Sequence, residues 1–224
     1  MLTKLAEAQR ALILLLLSQR SRSRKPGTEV SSDRRRNMTL SEKEKMLAGK
    51  LYRSTDRELQ AALAQTQRHL RKLNAIPNED AEQRFAVLQA MLGQIGSGTQ
   101  IKSLFTCDYG VYIRIGSNGF VNYGCVFLDC NLITIGDDAQ IGPGVHIYTA
   151  LHPVDAEIRR SGLEAAKPVN IGHNVWLGGH CVICPGVTIG DNTVIGAGSV
   201  VVRDIPANRV AVGNPCRVIR EVGE

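Results

Sequence analysis

Five histidines, His69, His146, His152, His173 and His180, are the side chains of this sequence best suited to moving protons near neutral pH. Four of them fall within regular patterns. His152 alone stands in an irregular stretch, TALHPVDAEIRRSGLEAAK, where the following Pro153 stiffens the backbone. It is the first candidate for a general base. His146, His152 and His173 also admit a zinc site, because imidazoles from adjacent coils of a repeat can converge on one ion. The six cysteines, Cys107, Cys125, Cys130, Cys181, Cys184 and Cys216, include no CxxC pair. Cys125 and Cys181 fall at inward positions of a repeat. The set reads as buried thiols of a reducing compartment, the cytoplasm, and not as disulfides or metal ligands.

The element that must position this chemistry is the run from Ile171 to Val202. Cut every six residues, it places Ile171, Leu177, Ile183, Ile189, Ile195 and Val201 at the head of each unit, usually followed by Gly. The fifth position is small or β-branched throughout: Val175, Cys181, Val187, Thr193 and Ser199. A 3.6-residue turn would scatter such a period around a helix, so the pattern predicts stacked short strands joined by tight corners, a parallel β-helix. The same period is legible from residue 115, is reset by the two extra residues Ile133 and Thr134, and fails from about Thr149 to Lys167. Long irregular excursions from a compact scaffold tend to carry function.

Upstream, residues 38–95 read as helical. Ser41 to Ala48 ends at Gly49, a fitting C-terminal cap. Thr55 and Glu58 fit a capping box ahead of the stripe Leu59, Leu63, Leu70 and Leu73. Pro77 breaks that helix, and a third is expected to start at Asn78 and run through Phe85 and Leu88 to Gly93. These short amphipathic helices must pack on the coil or on a neighbouring subunit. The expected organisation is therefore a basic leader over 1–37, a helical region over 38–95, a β-helix over 96–203 with a protruding loop at 149–168, and a C-terminal segment over 204–224.

The formal charge of +6 is confined to the leader: residues 1–37 hold nine basic and three acidic side chains, and the remainder is balanced. A nucleic-acid footprint is thereby excluded for the folded body. The apolar run from Ala11 to Leu17 is too short to span a bilayer, which takes about 20 residues. The Arg/Ser-rich leader fits an organelle transit segment or, in the reading preferred here, a dispensable or untranslated extension ahead of a natural start at Met38.

The stretches EKEKMLAGKLYRSTD, CDYG, GVHIYTALHPVD, NVWLGG and PGVTIGDNTVIGAGSVVVRDIPAN together carry a resemblance, covering roughly Ser41 to Glu221, to the hexapeptide-repeat acyltransferases and specifically to the maltose and galactoside O-acetyltransferases. The resemblance implies a left-handed parallel β-helix, a homotrimer with active sites between subunits, and acetyl-CoA as donor to a sugar hydroxyl. His152 coincides with the family's catalytic histidine. Asn122 matches its acceptor-binding amide, and Asp108 falls where relatives place a small polar acceptor contact. The galactoside enzymes' acid pair becomes Asp129-Cys130 here, leaving Asp129 as an acceptor candidate. Their acidic contact near the front aligns with Ser54, and Asp56, two residues later, fits either a replacement or a helix N-terminus. Gly179, Ala197 and Val202 match donor-contact positions along the pantetheine groove, and Arg203 and Arg220 match basic contacts to the donor phosphates. Trp176 fits a wall of the site and a packing role equally.

Acyl transfer to a hydroxyl requires a base, since the hydroxyl is protonated at neutral pH. Direct transfer with His152 as base is expected over a covalent cysteine route, because no cysteine lies in the loop. Two rivals share the coil: a γ-type carbonic anhydrase using the three histidines named above, and a non-enzymatic solenoid scaffold. No metal and no membrane partner are expected.

Overall fold

The computed structural model describes residues 40–224, and the expectations for residues 1–37 lie outside this range. Three parallel sheets run the length of the body. The first stacks Gln94–Ile95, Ile113–Ile115, Ile133–Ile135, Val169–Ile171 and Thr188–Ile189. The second stacks Gln100–Ile101, Phe120–Val121, Gln140–Ile141, Trp176–Leu177, Val194–Ile195 and Arg209–Val212, with Arg217–Glu221 added antiparallel at its end. The third stacks Thr106–Cys107, Val126–Leu128, His146–Tyr148, Val182–Ile183 and Val200–Val201. The chain visits the three in rotation, which makes a β-helix of the hexapeptide type.

The repeat works by segregation. The heads of the units are buried in columns, as with Ile115, Ile135, Ile171 and Ile189 in the first sheet, paired in register. Burying each such side chain contributes about 1.5–3 kcal/mol, and the small fifth-position residues pack between the columns. The corners demand left-handed backbone, and Asn118, Asp138, Asn174, Asn192 and Asn208 supply it, with φ between 52° and 60°. Their amides also stack: Asn174 Nδ2 donates to Asn192 Oδ1 at 2.9 Å, and Asn192 Nδ2 to Asn208 Oδ1 at 3.0 Å. Gly178 answers a different need. A Cβ there would stand 2.5 Å from the Ala197 backbone nitrogen of the next coil, so only hydrogen fits.

The coil is longer than the repeat pattern indicates at both ends. It begins at Gln94, one full turn before the legible repeat, because Ile95, Ile101 and Cys107 keep the six-residue spacing while Lys102 and Asp108 replace the usual Gly. At the other end Ile205 bridges to Ile189 and Ala211 pairs with Ile195, so the segment after Arg203 continues the coil instead of leaving it.

The helices are α1 (Glu42–Leu47), α2 (Arg57–Ala75), α3 (Ala81–Met91) and, in the loop, α4 (Ala156–Arg160). Two expected caps move. The α2 cap is Asp56, whose carboxylate accepts from the Glu58 and Leu59 amides, and not Thr55. The capping box is instead on α1, between Ser41 and Glu44. Helix α3 starts at Ala81, because the Asn78 side chain is spent on Ser103 of the first coil. Leu70, Leu73, Val87, Leu88 and Met91 close the open end of the coil. Arg84 is 4% exposed there and donates to the carbonyls of Leu73, Ile76 and Ile101. Among the described residues no helix is long and apolar enough to cross a membrane.

Candidate active site

One corner of the prism, between the third and first sheets, is enlarged on three successive coils. Cys107 to Ile115 and Phe127 to Ile135 each take eight residues where other corners take six, and Ile147 to Ile171 carries the whole excursion. The two extra residues in each of the lower coils make room for Asp108, Asp129 and Cys130. On this corner sit α1 and the start of α2, through a small apolar cluster of Met46, Tyr52, Leu59, Tyr109, Cys130 and Ala166.

Asp129 is fully buried in this corner. Its Oδ1 accepts from the Asp108 and Tyr109 amides at 3.0 and 2.8 Å, and its Oδ2 from the Tyr112 amide at 3.3 Å. Burial pushes the carboxyl up to about 8, against the pull of those donors. Asp129 is thus the internal brace of the CDYG turn, its two oxygens taken by backbone amides and none of its surface exposed, unlike the open side chain that an acceptor contact calls for. Asp108, on the turn so braced, is half-buried. Burial raises its pKa first, the Cys130 thiol at 3.5 Å opposes that by donating to Oδ2, and the Glu164 charge raises it further. Cys130 itself is held well above the usual thiol range by burial and by Asp108, so it remains a neutral donor.

The loop is not irregular. Ala150–Leu151 pairs antiparallel with Leu163–Ala166, which pairs in turn with Tyr52–Arg53 from the helical region. The hairpin so formed carries α4, capped by Asp155 accepting from the Ile158 amide at 2.9 Å. His152 follows Leu151 directly and is exposed. Leu151 faces Ala165, the last pair of that ladder, with His152 and Glu164 each one residue further along its own segment. Glu164 faces Tyr52 across the other pairing. Its carboxylate accepts from Ser54 Oγ at 2.8 Å and from Tyr52 Oη at 3.2 Å. Sequence reasoning missed Glu164; its one signal was an acid inside the excursion. Ser54 therefore holds an acid supplied by the loop. Asp56 serves α2 as its cap, the second of its two expected roles.

The remaining candidates lie elsewhere. Asn122 sits at the corner between the second and third sheets, its Oδ1 turned onto the Tyr123 amide at 2.8 Å, beside a shallow hollow lined by Phe120, Gln140, Gly142 and Trp176. Trp176 is 56% exposed on the outer face of the second sheet, which favours the wall role over packing. Gly179 and Ala197 stack on that same corner, where Gly178 lets consecutive coils approach. Val202 and Arg203 are exposed just past the last strand of the third sheet, and Arg220 on the final hairpin. Within one chain, then, the structure gathers His152, Glu164 and Asp108 at one corner and leaves Asn122 at another.

Two of the other histidines are engaged elsewhere. His146 Nδ1 bonds the Tyr148 hydroxyl, and His173 Nδ1 accepts from the Asp137 amide at 3.0 Å and lies 3.3 Å from the Asp137 carboxylate. Among the described residues no three of His, Cys, Asp and Glu come together as a metal site, so the three-histidine zinc arrangement is not assembled within the chain.

Comparison with known proteins agrees with this architecture. A model of the maltose acetyltransferase hexapeptide capping motif matches residues 45–96, and one of the bacterial transferase hexapeptide repeat matches 168–203. Nodulation protein L of Rhizobium leguminosarum bv. viciae is 52% identical over 181 residues, 81% of this chain and 95% of that protein. The crystal structure of a maltose O-acetyltransferase from Clostridium difficile 630 superposes with a TM-score of 0.81 at 49% identity, over 83% of this chain and 99% of that one. A galactoside acetyltransferase solved in complex with coenzyme A gives 0.80 at 38% identity, over 83% and 92%. On these matches the chain belongs to the maltose and galactoside O-acetyltransferase family of hexapeptide-repeat acyltransferases.

Proposed function

We propose that this protein transfers the acetyl group of acetyl-CoA to a hydroxyl of a sugar, with His152 as general base. The observation that carries the reading is the placement of exposed His152 directly after the first strand of a hairpin whose second strand carries Glu164 and is pinned by Tyr52–Arg53. A sugar offers several hydroxyls, and two carboxyl groups beside a base supply the acceptors that orient them. His152 takes the proton from the attacking hydroxyl as its oxygen bonds to the thioester carbonyl carbon. The tetrahedral intermediate then collapses, the C–S bond breaks, and the imidazolium returns the proton to the departing thiolate. The products are the acetyl ester and free CoA.

Asn122 is proposed to hold a hydroxyl of the acceptor sugar with its side-chain amide. Its position at a different corner from His152 supports a homotrimer, in which Asn122 of one subunit meets His152 of the next. The donor would run along the corner of Gly179 and Ala197 past Val202, with Arg203 and Arg220 on its phosphates. These residues suit it: the corner offers backbone without bulky side chains, and both guanidiniums are exposed. The test is release of free CoA from acetyl-CoA across a panel of glucosides, galactosides, maltose and chito-oligosaccharides. Sugar-dependent release supports the reading; release with none of the panel, by a protein that binds acetyl-CoA, refutes the sugar assignment.

A further inference from the structure

Asn131 and Thr149 form a buried polar pair that the chemistry above does not use. They are 3% and 0% exposed. Thr149 Oγ donates to the Leu128 carbonyl at 2.7 Å and accepts the Asn131 amide at 2.9 Å. The Asn131 side chain donates to the carbonyls of Met46 and Leu47, both at 3.2 Å, and its Oδ1 accepts the Leu132 amide at 2.8 Å. Each partner has a place in the site. Thr149 is where the third coil ends and the hairpin leaves; its carbonyl accepts the Lys167 amide at 2.9 Å, closing the hairpin's neck three residues before His152. Met46 and Leu47 end α1, and the strand that follows it, Tyr52–Arg53, carries the hydroxyl that holds Glu164.

The pair therefore ties the neck of the hairpin and the end of α1 to one coil corner, the corner that also holds Asp108. A buried valine at 149 would fill the same space, so filling does not explain the hydroxyl. What a hydroxyl and an amide supply is direction: both bonds require one register of the hairpin neck and one seat of α1. We propose that Asn131 and Thr149 are positioning residues for the transfer reaction, Thr149 setting the reach of His152 and Asn131 setting the seat of the Tyr52–Glu164 arm.

This rests on His152 being the base, and the experiment separates the two claims. Thr149→Val, Thr149→Ser and Asn131→Ser are compared with the parent trimer or monomer as purified, by steady-state kinetics with acetyl-CoA and the best sugar found, together with Tm and the pH profile of kcat/KM. Thr149→Val is expected to lower kcat about tenfold or more and to shift the acidic limb of the profile, with the donor KM within twofold, and Thr149→Ser to restore both. Asn131→Ser keeps its backbone amide on Thr149 and loses the α1 carbonyls; it is expected to raise the acceptor KM about tenfold with kcat nearly unchanged. A Thr149→Val enzyme with parental kcat and profile but a lowered Tm overturns the role of Thr149, and an unchanged acceptor KM in Asn131→Ser overturns that of Asn131. If Thr149→Val fails to fold, a parental profile in Thr149→Ala overturns the same claim. Should His152→Ala keep full activity, the reading of the base fails instead, whatever the variants at 149 do.

Discussion

Ser54 Oγ donates to the Glu164 carboxylate at 2.8 Å, joining the turn before α2 to the returning strand of the His152 hairpin. Neither residue is near the other in sequence, yet their bond fixes an acid on the same hairpin as the candidate base. Replacing Glu164 by Gln keeps the shape and removes the charge. The acceptor KM should rise about tenfold, equivalent to roughly 1.4 kcal/mol of binding, with the KM for acetyl-CoA unchanged. Steady-state kinetics with each substrate varied in turn checks this; equal acceptor KM values would remove Glu164 from the acceptor site.

His152 is exposed and packs little, so its loss is a test of chemistry with small effect on stability. His152→Ala should lower kcat by about 10²–10⁴-fold and leave Tm within a degree or two of the parent. Turnover near the parental value would require another base.

Asp129 makes a prediction about pH. Its carboxyl is raised from 3.8 to about 8 in the fold. Between these values the folded state binds the proton that the unfolded chain has released, so the stabilisation present below pH 4 is lost progressively as pH rises toward 8. The slope is at most about 1.4 kcal/mol per pH unit. Denaturant midpoints measured from pH 5 to 9 should fall, and Asp129→Asn should flatten that fall. A variant whose slope matches the parent would show that the loss arises elsewhere.

Gly178 stands where successive coils nearly touch, with the Ala197 nitrogen at 2.5 Å and the Ile195 oxygen at 2.9 Å from where a Cβ would be. All of these are backbone atoms, which cannot step aside. Gly178→Ala should cost about 3 kcal/mol by forcing the coils apart and should also weaken donor binding along that corner. Thermal unfolding with and without CoA measures both; a neutral substitution would mean that the corner yields.

For the donor phosphates, Arg203→Ala combined with Arg220→Ala should raise the KM for acetyl-CoA about tenfold or more, since each charge-assisted hydrogen bond contributes roughly 1.5–3 kcal/mol. The effect should shrink as salt is added. Isothermal titration of CoA at two ionic strengths reads it directly, and equal affinities in parent and variant would leave the phosphates to other groups.

How much of this was legible in advance follows from the range of the interactions involved. A six-residue period with aliphatic heads is a local pattern repeated, so Ile171, Leu177, Ile183 and their successors specify the coil before any contact is seen. The break in that period singled out His152 for the same reason. The first end of the coil was missed because Lys102 and Asp108 keep the spacing while losing the Gly that makes it visible, and the last because Ile205 follows Val201 by four residues and so falls out of the six-residue period. Helix α2 is capped by Asp56, whose carboxylate takes the first free amides in place of the Thr55 hydroxyl, and α3 starts only at Ala81 because Asn78 is taken by Ser103, a partner in another element.

The site itself divides along the same line. The break in the spacing points to His152, and the family resemblance adds Asp108 and Asn122. Only the tertiary structure withdraws Asp129 into the turn, where backbone amides consume its oxygens, and brings forward Glu164, held by hydroxyls more than a hundred residues away in the chain. A sequence records which groups are present, but their availability depends on which neighbours satisfy them. That satisfaction is set by the enlarged corner, where three coils, one hairpin and a helix meet.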